Sequence, residues 1–365
     1  MVTAFRAARI FDGERWHDDT CLVVTDGRVD RIGPAADAVP VDGWIVPGFV
    51  DLQVNGGGGV QFNDDPTPQG IAAIAAAHAR FGTTSLMVTL ITDRPEVTAR
   101  AIDAAAASDV MGLHLEGPHF APTRVGTHDP ALVRPMADGD LDRLTEAARR
   151  LRLIVTLAPE IVGPNAIAAL VRAGAIVSLG HSDATLAQAR RAAEGGATMV
   201  THLFNAMSPL SHRTPGLVGA ALDDGRLWTG IIADGHHLDD AALGIALRAK
   251  RGPARLFLVS DAMATVGSDR TGFTLNGRAV HRADGCLRLA DGTLAGADIA
   301  LIDAARHLLA LGTPVEEVLR MASTYPAQAV ADPARGGLHP GQRADFLSVT
   351  PDLGLKGVWI GGVAA

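Results

Sequence analysis

The strongest constraint on this chain is a series of eight apolar segments, each bounded by turn-forming residues. They cover residues 45–56, 83–92, 110–120, 151–160, 175–184, 197–207, 228–238 and 255–263. Within most of them apolar residues run on instead of alternating with polar ones, which is the pattern of strands buried on both faces. Most are separated by Ala-rich stretches of helical spacing, such as QGIAAIAAAHARFG and ATLAQARRAAEGG. Buried strands alternating with helices are parallel βα units. Eight of them predict an α/β fold closed as a (β/α)8 TIM barrel, with an open doubly wound sheet as the structural rival. At 365 residues the chain can hold one such barrel and a small second domain.

The two ends read differently. Residues 1–46 hold short strands and turns, with Asp26-Gly27 between apolar runs as a hairpin signal, and residues 335–365 have the same character. The termini are therefore expected to meet in one small sheet domain beside a barrel over 47–334. Residues 270–298 break the βα rhythm after the eighth strand and read as a hairpin-rich insert, a candidate flap over the site.

Charge narrows the partners. With 32 basic and 40 acidic residues the net charge is −8, which argues against a nucleic-acid or anionic-membrane surface. An anionic small molecule can still bind where positive groups are local. Cys21 and Cys286 stand far apart without a CxxC spacing, so a reducing compartment is the simpler reading. The opening MVTAFRAARIFDGERW carries charge where a secretion signal needs an apolar core, and no apolar stretch nears the roughly 20 residues that span a bilayer. A cytoplasmic location is expected.

Barrel enzymes carry their sites at the C-terminal ends of the strands. Polar residues gather there: Glu116 closes the third strand, His181 the fifth and Asp261 the eighth, His202 lies in the sixth, and His236 and His237 follow the seventh. Glu116, His181 and His202 offer one carboxylate and two imidazoles, a set that suits zinc, or Fe2+, Co2+ or Mn2+, with an open position for water. Each alone reads equally as a buried polar residue satisfied by hydrogen bonds; three converging on one barrel mouth favour the metal. His114, two residues before Glu116 and on the same face, reads as barrel packing, with ligation as the alternative. Asp261 beside a water at the ion would be a general base, or else a ligand-orienting or helix-capping carboxylate. The glycine run 56–59 lacks the Lys-Ser/Thr of a nucleotide-binding loop and reads as a tight loop at the barrel mouth. Lys250 and Lys356 are the only lysines, neither at a strand end, which disfavours a carboxylated lysine bridging two metals.

In order along nearly the whole chain, VPGFVDLQVNGGGGVQFND, GLHLEGPHF, GTHDP, VTLAPE, SLGHSDAT, THLFNAMSPL, RTPGLVGAAL, IIADGHHLD, LVSDAMA and LRMASTYPAQA resemble the N-acetylglucosamine-6-phosphate deacetylases of the amidohydrolase superfamily. The resemblance implies a distorted (β/α)8 barrel with a small β-sandwich built from both termini. It implies hydrolysis of the acetamide of N-acetyl-D-glucosamine 6-phosphate to D-glucosamine 6-phosphate and acetate, with Glu116, His181 and His202 holding one divalent metal ion per subunit and Asp261 as acid and base. His128 would contact the acetyl carbonyl and its oxyanion, and Asn205 and Ala206 would hold the sugar phosphate. Arg213 and His237, with His236 as the alternative to His237, would pair with the phosphate from the neighbouring subunit of a homodimer with shared active sites. Many superfamily members carry a His-x-His that binds a second metal at the end of strand one; Gln53-Val54-Asn55 here implies a single-metal form. The rivals are the same chemistry on N-acetylgalactosamine 6-phosphate, a cyclic-amide hydrolase and a barrel that has lost catalysis. The missing lysine and His-x-His count against the second, the intact Asp261 and ligand trio against the third.

Overall fold

The computed structural model describes residues 2–365. Each apolar segment supplies one strand of a parallel sheet: Phe49–Val54, Thr83–Ile91, Gly112–Glu116, Leu153–Leu157, Ile176–Leu179, Met199–Val200, Trp228–Ile231 and Leu256–Leu258. They pair in chain order and curve into a nearly closed barrel wrapped by helices. The helices begin where local chemistry dictates. Thr67 accepts the Gly70 N–H at the start of Pro68–Ala79, and Thr185 and Gln188 form a reciprocal capping box for Leu186–Glu194. Pro95 and Pro164 open two more.

The barrel has a seam. Its first and eighth strands share no ladder, only one parallel bridge, Val54 to Ala262, beyond the strand ends. Polar groups span the gap. The Asp261 N–H donates to the Gln53 carbonyl at 3.0 Å and the Asn55 N–H to the Ala262 carbonyl at 2.8 Å. The carboxyl of Asp51, fully buried, accepts the Gln53 N–H at 3.1 Å and the Ser260 N–H at 3.3 Å.

Burial pushes the Asp51 carboxyl up to about 7, so folding favours its protonated form. That contribution is complete below the ordinary aspartate range and is lost as pH rises through about 7. Asp51→Asn removes the titration. The melting temperature of the variant, relative to wild type, should climb between about pH 4 and about pH 7 and level off above. A difference that stays flat across that window would rule out the titration.

Strands from both ends form one mixed sheet. Its order is Val363–Ala364, Leu355–Ile360, Phe346–Val349, Trp44–Pro47, Val2–Phe11, Trp16–Thr25 and Arg28–Gly33, with Val39–Pro40 also paired to Val2–Phe11. The sheet has its own core, including Phe5, Ile10, Leu22, Ile45 and Phe346; the Phe346 ring stacks on Trp359 at 4.8 Å and meets Phe5 edge-on at 4.9 Å. Trp44–Pro47 extends this sheet one residue past 46 before the chain enters the barrel.

The insert is a three-stranded antiparallel meander, Gly272–Leu275, Arg278–Ala283 and Cys286–Leu289. Its Leu275, Val280 and Leu287 pack with Ile91 and Met263 of the barrel mouth. The glycine run is a tight ribbon, Gly56–Gly57 against Val60–Gln61, where a Cβ on Gly56 would lie 2.5 Å from the Val60 carbonyl oxygen. Cys21 and Cys286 are buried free thiols. Among the described residues no helix is long and apolar enough to cross a membrane.

Candidate active site

Three donor atoms from three strand ends meet at the barrel mouth. Glu116 Oε1 lies 3.2 Å from His181 Nε2 and 2.9 Å from His202 Nε2, and the two nitrogens are 3.1 Å apart. All three side chains are buried. His181 Nδ1 sits 2.7 Å from the Arg124 carbonyl, which can only accept, so the proton is on Nδ1 and Nε2 presents a lone pair. Converging lone pairs repel unless a cation lies among them. Ligand atoms of a tetrahedral ion with bonds of about 2.0–2.1 Å stand about 3.3 Å apart, so the trio has the dimensions of a site for one divalent metal.

The backbone is strained where these residues sit. His181, His202 and Asp261 have φ of 49°, 28° and 53°, in left-handed territory that disfavours side chains by about 1–3 kcal/mol each. His202, expected inside the sixth strand, stands two residues beyond Met199–Val200, because that strand pairs over only two residues before the chain turns.

Asp261 faces the trio across Gln53. Gln53 Nε2 donates to Glu116 Oε2 and to Asp261 Oδ1, both at 3.1 Å, and Asn55 Nδ2 donates to the same Oδ1 at 2.6 Å. The side chains at the His-x-His position therefore supply N–H donors to two carboxylates. Burial and the like charge of Glu116 push Asp261 up to about 6, close to neutrality, where a carboxyl can both take and return a proton.

Glu116, His128 and His181 each place a ligand atom within 4.8 Å of the others, which by distance alone would make His128 a ligand too. Its ring argues for a different role. The Thr92 N–H donates to His128 Nδ1 at 3.3 Å, with the Thr92 hydroxyl 2.8 Å from the same atom, so the proton of the neutral ring is on Nε2. Burial holds His128 well below the usual imidazole range, so the ring stays neutral. Phe120 stacks on His181 at 4.2 Å and meets His128 edge-on at 4.9 Å. His114 is barrel packing: its Nε2 bonds the Thr156 hydroxyl at 2.7 Å and its Nδ1 the Leu52 carbonyl at 3.2 Å.

Above these groups lies a cavity of about 210 Å³, the scale of a small metabolite, which Glu116, His128, His181, His202 and Asp261 share with Asn205, Ala206 and His237. The expectation that His237 arrives from a neighbouring subunit is thereby corrected. Its side chain lines the cavity of its own chain, held there because Asp234 accepts from His237 Nδ1 at 2.6 Å and from the His237 N–H at 2.8 Å. Burial opposes charge on Asp234, yet the histidine and these N–H groups bring its carboxyl down to about 2. His236 is exposed and does not line the cavity. Arg213 is exposed too and lies outside the cavity, in a surface groove with Arg190 and Arg191.

Thr92 and Phe120, which fix His128, and Thr293, Leu294 and Gly296, which wall the cavity from the end of the insert, were not singled out by sequence. A hydroxyl after an apolar run carries no signal of its own; only the position of the insert after strand eight pointed this way.

Residues 44–365 match the model of the Amidohydrolase family. The chain is 40% identical over 327 residues to an N-acetylgalactosamine-6-phosphate deacetylase of Shewanella sp. (strain ANA-3), covering 88% of this chain and 82% of that one. It is 36% identical over 392 residues to an N-acetylglucosamine-6-phosphate deacetylase of Danio rerio, covering 99% and 96%. A variant N-acetyl-D-glucosamine-6-phosphate deacetylase from Mycobacterium smegmatis, solved in complex with N-acetyl-D-glucosamine-6-phosphate, superposes with a TM-score of 0.93 at 34% identity over 100% of this chain and 99% of that one.

Proposed function

This chain belongs to the amidohydrolase family, and from that premise we propose that it hydrolyses the acetamide of N-acetyl-D-glucosamine 6-phosphate to D-glucosamine 6-phosphate and acetate. The observation that carries the reading is the pairing of Asp261 with a Glu116–His181–His202 trio at the floor of a cavity of metabolite size. Glu116 Oε1, His181 Nε2 and His202 Nε2 would hold one divalent ion, zinc on this reading, which supplies Lewis acidity toward a water and the acetamide carbonyl.

The rest falls to the chain's own groups. Gln53 and Asn55 both donate to Asp261 Oδ1, so Oδ2 is the oxygen that takes the proton of the attacking water. As the water oxygen bonds to the carbonyl carbon, His128 Nε2–H donates to the carbonyl oxygen and to the negative charge it develops. Asp261 then returns the proton to the nitrogen, the carbon–nitrogen bond breaks, and acetate and the amine leave. Asn205, Ala206 and His237, with Arg213 from a partner subunit, hold the phosphate and fix the acetamide in place. The enzyme works as a cytoplasmic homodimer on this reading. The Shewanella relative gives the 4-epimer specific support as a second substrate.

Acetate release from N-acetylglucosamine 6-phosphate, N-acetylgalactosamine 6-phosphate and their unphosphorylated forms tests the reading. Release should be much slower without the phosphate, and the ratio of the two kcat/KM values assigns the epimer. No acetate from either phosphate would overturn it. Because Gln53 and Asn55 donate to carboxylates where a second ion would need imidazoles, chelated protein titrated with Zn2+ should recover full activity at one equivalent per chain. Recovery only at two equivalents would exclude the single-ion form.

A further inference from the structure

Besides walling the cavity with its last residues, the insert reaches the backbone around His128 with the tip of its first hairpin. Asn276 and Arg278 flank the Gly277 turn between its first two strands. Arg278 Nη2 donates to the carbonyl of Thr127, the residue before His128. Asn276 Nδ2 donates to the Thr92 carbonyl at 3.2 Å, and Thr92 is the residue whose N–H and hydroxyl meet His128 Nδ1. The hairpin tip thus grips both stretches of backbone that place the His128 ring, although Thr127 and Arg278 are 151 positions apart. The other end of the insert is anchored separately, by Arg282 to Asp298 and to the Ser268 carbonyl. Arg278 Nε is buried and has no partner among the described residues, so the bond to Thr127 is the guanidinium's polar contact with the site loop.

We propose that Arg278 is a positioning residue for His128: reaching in from the insert, it fixes the Thr127 carbonyl and with it the depth and angle of the imidazole. The inference rests on the role given to His128 in the function proposed above. Its physical basis is the steepness of catalysis with geometry. A donor aimed at a developing oxyanion acts only at hydrogen-bonding distance, and misplacement by about 1 Å lowers rates by about 10²-fold. A residue that merely staples the insert to the barrel would affect stability and leave turnover alone.

Kinetics of acetate release by the metal-loaded enzyme separate these roles. Arg278→Ala should lower kcat about 10–100-fold with KM changed by less than about threefold, since the lost interaction belongs to the transition state. Arg278→Lys, which keeps a charged donor, should recover part of that loss, and it also serves if the alanine variant fails to fold. Arg282→Ala, which loosens the far end of the insert, should leave kcat within about threefold of wild type. In a His128→Gln background, Arg278→Ala should add almost nothing, because its effect passes through the ring already removed. Equal losses in both backgrounds, or Arg282→Ala matching Arg278→Ala, would overturn the inference. If His128→Gln is impaired and Arg278→Ala is not, the inference alone falls. If His128→Gln turns over normally, the function assigned to His128 falls and the inference with it.

Discussion

Asp261→Asn is expected to fold, to bind its metal and to turn over roughly 10²–10⁴ times more slowly than wild type. The substitution is nearly isosteric. Its amide oxygen can still accept from Gln53 and Asn55, as Oδ1 does now, so the seam and the neighbouring Glu116 are left in place. What changes is the other oxygen, which becomes an NH2 that neither takes a proton from water nor returns one to nitrogen. Each tenfold lost corresponds to about 1.4 kcal/mol of barrier. Metal content and melting temperature near wild type beside a collapsed kcat would fit the proton-transfer role. A near-normal kcat would remove it.

Arg213→Ala should lower kcat/KM for the 6-phosphate substrate by roughly 10–100-fold, the scale of one hydrogen bond between charged groups, mostly through KM. The effect on the unphosphorylated sugar should be small. Arg213 is exposed in a Pro- and Gly-containing loop and outside its own chain's cavity, which is why a partner's site is its proposed target. A guanidinium offers the two parallel donors that suit phosphate. Mixing Arg213→Ala chains with Asp261→Asn chains sharpens the test. In a dimer that shares sites, each mixed pair contains one site with both residues intact, so activity should rise toward half that of wild type. Mixed dimers that form without regaining activity would confine Arg213 to its own chain.

Most of the barrel was legible because its strands are buried on both faces and so appear as continuous apolar runs between glycines and prolines. Glu116, His181, His202 and Asp261 were legible for a related reason: a polar residue ending such a run can only be at the mouth. The placement of His202 was less so, since a two-residue strand leaves little pattern and the left-handed turn after it has no glycine to announce it. His237 was assigned to the wrong chain because nothing local shows which way a loop folds; the Asp234 bond that turns it inward became visible only in three dimensions. The polar seam was hidden too. Gln53 and Asn55 were read only as the missing second-metal ligands and Asp51 not at all, because their partners Ser260 and Asp261 lie more than 200 positions later.

The sheet shared by the two ends has a consequence for how the protein is made. Trp44–Pro47 pairs with Phe346–Val349, about 300 residues further on, so the N-terminal strands leave the ribosome long before their neighbour exists. At about 5–20 residues per second that interval is roughly 15–60 s. Throughout it the apolar side chains of Phe5, Leu22 and Ile45 lack the cover that Phe346 will give them. The nascent chain therefore presents a half-built apolar edge in residues 2–47 during most of translation. A ribosome that stops between Leu258 and Phe346 releases a chain whose barrel strands are all present and whose first sheet can never be completed.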